Sequence, residues 1–264
     1  MYTWNTRVLY SQLAPSGRLS LTALLDLFQD VATLHAEDAG DGLEQRTASH
    51  TAWLLSRWRV RLGDLPRSAA HIQVTTQAYE CRMALNRRCY ALLDAEGREL
   101  AVGDSLWTLV NTDTGAPTNA SQVVKPYLEP GKGPDMSALP RRLQLPAQHT
   151  PGEAFPVTDD LLDTNQHVNN VRSVALTMRY LPADFAFSAL AVDYSRPLLP
   201  GQMVTPLLAH TDRGFHVSLT VEGQLCVPQS RTLHCVTQHI FCEYGAACTH
   251  ECYFHSRLLF DFYE

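Results

Sequence analysis

The amino-acid sequence predicts an α+β fold built from two tandem domains, each with a long helix wrapped by an antiparallel sheet. The chain has 264 residues, which exceeds one small domain and suits two domains of roughly 110 to 130 residues each. Hydrophobic residues make up 45% of the chain and charged residues 18%, so there is enough apolar material for a buried core. The same order of elements, a strand, a helix and then several strands, is predicted on both sides of a proline-rich segment.

The first domain is predicted over residues 1–118. It opens with the strand-like segment YTWNTRVLY, which ends at a turn containing Pro15 and Gly17. A helix is predicted from the N-cap residue Ser20 to about Gly40, because apolar residues recur at helical spacing. Four strand-like stretches follow: TAWLLSRWRVRL, HIQVTTQAYE, RRCYALLD and ELAVGDSLWTLVN, with the hairpin turn DAEG between the last two.

Residues 119–150 contain five prolines with little periodicity and are predicted to be a linker. The second domain is predicted over residues 151–226, with a short strand, a helix between Val168 and Leu181, and the strands ALAVDYS, MVTPLLAHT and GFHVSLTVEGQ. Residues 227–264 hold a Cys- and His-rich segment without strand alternation. This tail is predicted to lie outside the repeat.

Charge and cysteine usage exclude several classes of function. The formal net charge is −6 and no run of Lys or Arg exceeds two residues, which argues against binding to nucleic acid or to anionic lipid. A signal-like N-terminus and an apolar stretch of membrane-spanning length are both missing, so a cytoplasmic protein without a membrane span is expected. Seven cysteines without a C-x-x-C pair do not suit a secreted disulfide framework.

The segment DTNQHVNN, residues 163–170, concentrates polar side chains in front of the second predicted helix. Asp163 and Asn165 are good N-cap residues, so the helix is expected to begin inside the segment. Free N–H groups at Val168 and Asn169 could then receive an oxyanion that develops on a carbonyl under attack by water. The alternative is a polar turn that only starts a helix.

The same segment carries candidates for acid–base chemistry. Asp163 and His167 could act as the general base, and Asn165 could position the water or the carbonyl through hydrogen bonds. A calcium-binding EF-hand is excluded, because Val168 and Val174 occupy the positions that need glycine and glutamate.

Five segments in order resemble the acyl-acyl-carrier-protein (acyl-ACP) thioesterase family of bacteria and plants. They are GRLSLTALLDLFQDVATLHAEDAG, WLLSRWRVRLGDLP, DAEGRELAVGDSLWTLVNTDTGAP, DTNQHVNN and VDYSRPLLPG. DTNQHVNN matches the family pattern D-x-N-x-H-V-N-N at every specified position. The resemblance covers about residues 3–225.

This resemblance implies two fused hot-dog folds and hydrolysis of fatty acyl-ACP thioesters, with release of free fatty acid and holo-ACP. It implies catalytic positions at Asp163, Asn165 and His167, and acyl carrier protein and the fatty acyl thioester as partners. It implies no metal and no organic cofactor. Gln29 and Asp30 on the first helix would border the acyl pocket. Two alternatives remain open, an acyl-coenzyme A thioesterase and a catalytically weakened acyl-thioester-binding module.

The chain departs from the family in three places. Pro197 stands where the family usually has an acidic residue, before Leu198. Asp193, about 13 Å away along a strand at ~3.3 Å per residue, is too far to replace that acid. Ser173 and Leu176 replace aromatic residues of the second helix. The tail also differs, and a zinc site there is the alternative to a divergent end; its ligands would be Cys242, Cys248, His250 and Cys252.

Three arginines, Arg57, Arg59 and Arg61, alternate along one strand and are expected to share a face. That face could dock the acidic surface of a carrier protein, or it could be an ordinary solvated strand face. A serine-hydrolase mechanism is disfavoured, because the sequence has no G-x-S-x-G, and Cys81 and Cys89 are expected to be buried thiols. Chain-length preference and oligomeric state stay open, although the sheet edges of such folds often associate.

Overall fold

The computed structural model describes residues 1–182, 185–222 and 234–244, and it divides the chain into two compact units at residue 138. The first unit is built around an antiparallel sheet with the strand order β1-β3-β4-β5-β2. Its elements are β1 (Tyr2–Arg7), α1 (Leu21–Asp38), α2 (Leu43–Ala48), β2 (Thr51–Leu62), β3 (His71–Arg82), β4 (Leu85–Asp94), β5 (Glu99–Asn111) and α3 (Ser121–Val124).

Helix α1 lies against this sheet, as its apolar spacing predicted. Ser20 is the N-cap residue, and its hydroxyl accepts a hydrogen bond from the Ala23 N–H at 3.1 Å. Phe28 is fully buried and stacks on Tyr90 and Trp58 at centroid distances of 5.1 and 6.0 Å. The helix can approach β5 this closely because position 103 is glycine: a Cβ there would lie 3.0 Å from the Phe28 ring.

The predicted linker is divided between the two units. Ala120, Val124 and Tyr127 are buried in the core of the first unit. The Tyr127 hydroxyl donates a hydrogen bond to the carboxylate of Asp41 at 2.6 Å, and Asp41 is itself buried and paired with Arg46. This polar anchor attaches the start of the proline-rich segment to the first unit, which therefore extends beyond residue 118.

The second unit repeats the arrangement with a shorter helix. Its sheet has the strand order β8-β11-β10-β9-β6, and β7 also pairs with β9. The elements are β6 (Thr150–Pro151), β7 (Phe155–Pro156), α4 (Asn170–Met178), β8 (Phe187–Tyr194), β9 (Met203–Thr211), β10 (Gly214–Glu222) and β11 (His234–Tyr244). Helix α4 has 9 residues against 18 in α1, and it is shorter than the helix expected between Val168 and Leu181.

The prediction that the whole tail lies outside the repeat is wrong for residues 234–244. They form β11, which pairs antiparallel with both β8 and β10. Ile240, Phe241 and Cys242 are consecutive and all buried. A strand covered on both faces shows no alternation of apolar and polar residues, which is why the sequence pattern did not reveal it.

The zinc alternative involves positions that lie mostly outside the described residues. Cys242 is a buried free thiol in β11, whereas Cys248, His250 and Cys252 are outside the described part of the chain. Within residues 1–182, 185–222 and 234–244, side chains of the metal-ligating types form no group of three or more. Across the same ranges, every helix is too short or too polar to cross a membrane.

Candidate active site

The segment DTNQHVNN begins as a tight loop, not as a helix. Leu162 and Val168 form an antiparallel bridge that closes the loop. The Asp163 N–H donates to the His167 carbonyl at 2.8 Å, and the Gln166 N–H donates to the Asp163 carbonyl at 3.0 Å. Gln166 adopts a left-handed backbone conformation with φ of +60°. The loop therefore has a defined backbone that presents the side chains of residues 163–167.

The carboxylate of Asp163 organises this loop. Its Oδ1 accepts hydrogen bonds from the Asn165 N–H at 2.8 Å and from the His167 N–H at 3.3 Å. Its Oδ2 accepts no hydrogen bond from the part of the chain that the structure describes. Asp163 and His167 are half-buried and Asn165 is exposed. The structure thus brings the three predicted catalytic residues into one loop, with one carboxylate oxygen left for a ligand or a water.

The assignment of the oxyanion donors to Val168 and Asn169 is wrong. The Val168 N–H donates to the Leu198 carbonyl at 3.0 Å, and the Asn169 N–H donates to the Leu161 carbonyl at 2.9 Å. Both donors are therefore occupied by the fold. The spacing of polar residues indicated a helix start, but neither the bridge that uses the Asn169 N–H nor the distant carbonyl that uses the Val168 N–H.

Helix α4 begins at Asn170, inside the segment as predicted, but neither Asp163 nor Asn165 is its N-cap. Its N-cap residue is Asn169, whose Oδ1 accepts hydrogen bonds from the Val171 N–H at 2.8 Å and the Arg172 N–H at 3.2 Å. The Asp163 carboxylate caps the loop instead. Two acceptor side chains six residues apart thus satisfy two different sets of backbone donors.

Pro197 lies next to the loop but not on a strand. Strand β8 ends at Tyr194, and Pro197 is exposed in the segment that follows. The next residue, Leu198, is buried and supplies the carbonyl that holds Val168. Pro197 is therefore adjacent in the chain to a residue that contacts the segment of residues 163–170. The expectation that Pro197 extends the strand of Asp193 is wrong.

Asp193 has a structural partner of its own. Its Oδ2 accepts a hydrogen bond from the Leu143 N–H at 2.9 Å. This contact attaches the segment that enters the second unit to β8. Asp193 is thus engaged in the fold, consistent with the expectation that it does not replace the acid missing at Pro197.

The first turn of α4 is tied to β8 through one carbonyl. The Asn170 carbonyl accepts hydrogen bonds from the Ser173 hydroxyl at 2.7 Å and from the Tyr194 hydroxyl at 3.1 Å. Burial raises the pKa of Tyr194, so this phenol stays protonated and keeps donating. Ser173, which replaces an aromatic residue of the family, therefore takes part in holding the start of the helix. Leu176 is buried and fills the core.

The predicted acyl-pocket residues lie on α1. Gln29 is half-buried and Asp30 is exposed, and both are next to the core residue Phe28. Desolvation by the surrounding protein raises the pKa of the Asp30 carboxyl. The structure contains a cavity of about 450 Å³ at the edge formed by β1 and β3, lined by residues such as Asn5 and His71 and by neither Gln29 nor Asp30. A pocket at these two residues stays a prediction.

The three arginines do not form one exposed face. Arg59 is buried and its Nη1 donates to the Trp58 carbonyl at 2.7 Å. Arg61 is exposed and lies 3.8 Å from Glu99, whereas Arg57 is half-buried behind an irregularity in the pairing of β2 with β5. The irregularity precedes Arg57, and the three arginines then pair in regular steps, so they share a face as predicted. The docking prediction is wrong for Arg59 because that side chain is buried.

The cysteines of the first unit do not provide a nucleophile. Cys81 and Cys89 are half-buried free thiols. Burial raises the pKa of both thiols, so they stay protonated near neutral pH.

The chain resembles known proteins in sequence and in fold. Residues 1–127 match the family model described as "Acyl-ACP thioesterase N-terminal domain". The chain is 25% identical over 215 residues to "Oleoyl-acyl carrier protein thioesterase 1, chloroplastic" of Arabidopsis thaliana, covering 73% of this chain and 59% of that protein. The resemblance to acyl-ACP thioesterases is confirmed.

A second acyl-ACP thioesterase, "Palmitoyl-acyl carrier protein thioesterase, chloroplastic" of Gossypium hirsutum, is 23% identical over 214 residues, covering 74% of this chain and 52% of its own length. The chain thus spans less than two thirds of these curated relatives.

Solved acyl-ACP thioesterase structures share the fold. An acyl-ACP thioesterase from Bacteroides thetaiotaomicron superposes with a TM-score of 0.79 at 19% identity, covering 92% of this chain and 97% of that one. The "12:0-ACP thioesterase from Umbellularia californica" gives a TM-score of 0.77 at 17% identity, covering 92% and 96%. These likenesses confirm the α+β class with two tandem hot-dog domains.

Proposed function

We propose that this chain hydrolyses fatty acyl-ACP thioesters, releasing free fatty acid and holo-ACP. The observation that carries the proposal is the loop of residues 163–167, where Asp163 is ordered through Oδ1 and keeps Oδ2 available beside His167. The match of the first unit to the acyl-ACP thioesterase model supports the same substrate class. Both partners, the carrier protein and the fatty acyl chain, belong to this proposal.

The chemistry needs one water and one proton relay. Water attacks the thioester carbonyl carbon, and Asp163 Oδ2 or the His167 imidazole takes a proton from it. The carbonyl oxygen becomes an oxyanion, and the tetrahedral intermediate then collapses with cleavage of the C–S bond. The proton passes to the departing thiolate, so the products are a carboxylic acid and a thiol. No metal and no organic cofactor enters these steps.

Oxyanion stabilisation must come from groups other than the Val168 and Asn169 N–H donors, which are already hydrogen-bonded. The exposed carboxamide of Asn165 is a side-chain donor in the loop. The N-terminal end of α4 adds a positive partial charge of the helix dipole directly after the loop. We therefore assign Asn165 to the carbonyl or the water, and Asp163 and His167 to proton transfer.

The test compares matched acyl chains carried by acyl carrier protein and by coenzyme A. We expect kcat/KM to be higher for the acyl-ACP thioester at each chain length. A preference for coenzyme A would favour the acyl-coenzyme A thioesterase instead. Release of free fatty acid and of the free thiol in equal amounts would establish hydrolysis, as opposed to transfer.

Pro197 favours a second candidate, an acyl-thioester-binding module with weakened turnover. Pro197 stands where the sequence resemblance implies an acidic residue, and it precedes Leu198, whose carbonyl accepts a hydrogen bond from the Val168 N–H. This candidate predicts tight binding of an acyl thioester with hydrolysis near the uncatalysed rate, and restoration of turnover in the variant Pro197→Glu. Efficient turnover by the wild type, unchanged in Pro197→Glu, would exclude it.

We further propose that the protein acts in the cytoplasm. Within the described residues, Cys81, Cys89 and Cys242 are free thiols, which suits a reducing compartment. Localisation of a tagged chain by cell fractionation would test this.

A further inference from the structure

The loop before the helix has the same backbone in both units. In the first unit the Ala14 N–H donates to the Arg18 carbonyl and the Gly17 N–H to the Ala14 carbonyl, both at 2.8 Å. In the second unit the matching bonds are Asp163 to His167 at 2.8 Å and Gln166 to Asp163 at 3.0 Å. An antiparallel bridge closes each loop, Leu13 with Leu19 and Leu162 with Val168.

The two loops differ at the position that needs a left-handed backbone. Gly17 occupies it in the first unit with φ of +74°, and Gln166 occupies it in the second with φ of +60°. Glycine adopts this conformation without steric cost, whereas a residue with a Cβ is strained there. Glutamine is not among the residues that commonly tolerate it. The fold alone would therefore favour glycine at position 166.

Strain by itself does not identify a functional residue in this chain. His50, Ala69 and Met83 also have positive φ, and all three lie at turns of the first unit. Gln166 differs from them in its surroundings. It stands between Asn165 and His167, its side chain is exposed, and that side chain has no hydrogen-bond partner among residues 1–182, 185–222 and 234–244. No hydrogen bond within this part of the chain therefore accounts for a glutamine at position 166.

We propose that the Gln166 carboxamide binds the amide group of the pantetheine arm that is closest to the thioester sulfur. The inference rests on the proposed thioester hydrolysis and adds a residue that positions the substrate. A primary carboxamide has both a donor and an acceptor, so it can either donate to the carbonyl of a secondary amide or accept from its N–H. Acyl carrier protein and coenzyme A present this same amide. Gln166 therefore recognises the carrier arm, whereas its neighbours act on the carbonyl.

The experiment uses two thioesters of one acyl chain, one with N-acetylcysteamine and one with pentane-1-thiol. The second thiol has similar length and lacks the amide. In Gln166→Gly we expect kcat/KM to fall about 3- to 10-fold on the amide substrate and to stay unchanged on the pentanethiol ester. The thermal midpoint should rise by about 2 to 4 °C, because glycine relieves the strained conformation.

The matched control is Gly17→Gln, which places the same side chain on the same backbone in the first unit. It should lower the thermal midpoint by about 2 to 4 °C and leave both kcat/KM values unchanged. An equal loss on both esters in Gln166→Gly, or no loss on either, would overturn the assignment of the amide contact.

Failure of the proposed hydrolysis can be told apart from failure of this inference. If the wild type cleaves neither ester, binding is measured by calorimetry with the corresponding uncleavable thioethers. The inference then requires that Gln166→Gly weakens binding of the amide thioether about 3- to 10-fold and leaves the pentyl thioether unaffected. Equal binding of the amide thioether by wild type and variant, or no binding by the wild type, contradicts it.

Discussion

The two loops that precede α1 and α4 have the same backbone conformation, but their side chains have different roles. In the first unit, Arg18 donates to the Leu65 carbonyl at 2.7 Å and pairs with Asp64 at 2.7 Å, so its charge serves the fold. In the second unit, His167 occupies the matching position, and its imidazole makes no hydrogen bond within the described residues. The fold thus supplies the loop twice, and a few substituted side chains make one copy a candidate for chemistry.

The helices that follow these loops, α1 and α4, differ in length and in apolar packing. Helix α1 has 18 residues and packs Phe28 against two large aromatic rings. Helix α4 has 9 residues and buries small side chains such as Val171 and Val174. The first unit therefore contributes more apolar packing per helix, whereas the second places its polar loop at the start of a short helix. The predictions below test this division, from the largest expected effect to the smallest.

Asp163→Asn should have the largest effect. The asparagine keeps an Oδ1 acceptor for the Asn165 and His167 N–H groups, so the loop should keep its shape. The change removes the carboxylate charge, and we expect kcat/KM for the acyl-ACP thioester to fall about 100- to 10,000-fold. Steady-state hydrolysis with a thermal melt of each variant is the measurement.

The matched control Ala14→Asp in the first loop should leave hydrolysis unchanged. More than a tenth of wild-type activity in Asp163→Asn would place the base elsewhere.

Core truncations compare the stabilities of the two helix contacts. Phe28→Ala removes a fully buried ring from between Tyr90 and Trp58 and should lower the free energy of unfolding by about 3 to 5 kcal/mol. Val174→Ala, also fully buried, should cost about 1 to 3 kcal/mol because it leaves a smaller cavity. Urea unfolding monitored by circular dichroism measures both. If Val174→Ala lowered the free energy of unfolding more than Phe28→Ala, the stronger helix contact would lie in the second unit.

One histidine in each unit should make the protein acid-labile. Burial lowers the pKa of His35 to about 4, and the nearby Arg88 adds to the shift. Burial likewise lowers the pKa of His216 to about 4, with a smaller contribution from Arg213. Between pH 6.5 and about 4 the unfolded chain binds protons that the folded chain does not, so the free energy of unfolding falls as the pH falls through this window.

We expect each histidine to contribute about 1 kcal/mol to that loss. This is less than the full pKa shift would give, because both side chains keep some solvent contact. His35→Gln and His216→Gln should each flatten the pH dependence of urea unfolding between these limits. The two effects should add, because the histidines belong to different units. A pH profile unchanged by a substitution would mean that the pKa of that histidine is the same in the folded and unfolded chains.

The helix caps should show the smallest difference. Ser20→Ala removes an acceptor for one N–H group of α1, and Asn169→Ala removes an acceptor for two N–H groups of α4. We expect losses of about 1 kcal/mol and about 1 to 2 kcal/mol, respectively, in the free energy of unfolding. Ser20→Asp and Asn169→Asp, which keep an acceptor, should be close to wild type. Equal stability of Asn169→Ala and Asn169→Asp would show that the cap is dispensable.

Helical spacing was a sound guide in the first unit and a partial one in the second. Ser20 capped the predicted α1, and the strands over residues 51–62, 99–111 and 203–211 were found at the predicted bounds. The apolar residues between Val168 and Leu181 predicted a helix nearly to Pro182, but α4 ends at Met178. Val168 belongs to a bridge and packs in the core, so an apolar residue at helical spacing was part of another element.

The candidate site was predictable in its residue types and not in its hydrogen bonds. Asp163, Asn165 and His167 follow from the segment itself. The use of the Val168 and Asn169 N–H groups by Leu198 and Leu161 depends on a carbonyl about 30 residues away and on a bridge, and neither leaves a local signal. The strained position of Gln166 also becomes visible only when its φ is set beside that of Gly17.

By itself, the sequence determined the two-domain α+β class, the amphipathic helix α1, the hairpin strands and the identity of the polar segment, because these depend on local periodicity and turn chemistry. Only the tertiary structure decided that residues 234–244 are a central strand, that Arg59 is buried, and that the candidate catalytic segment begins as a closed loop. Each of these depends on partners distant in sequence, whose burial and hydrogen bonds are fixed when the chain packs and not by its local pattern.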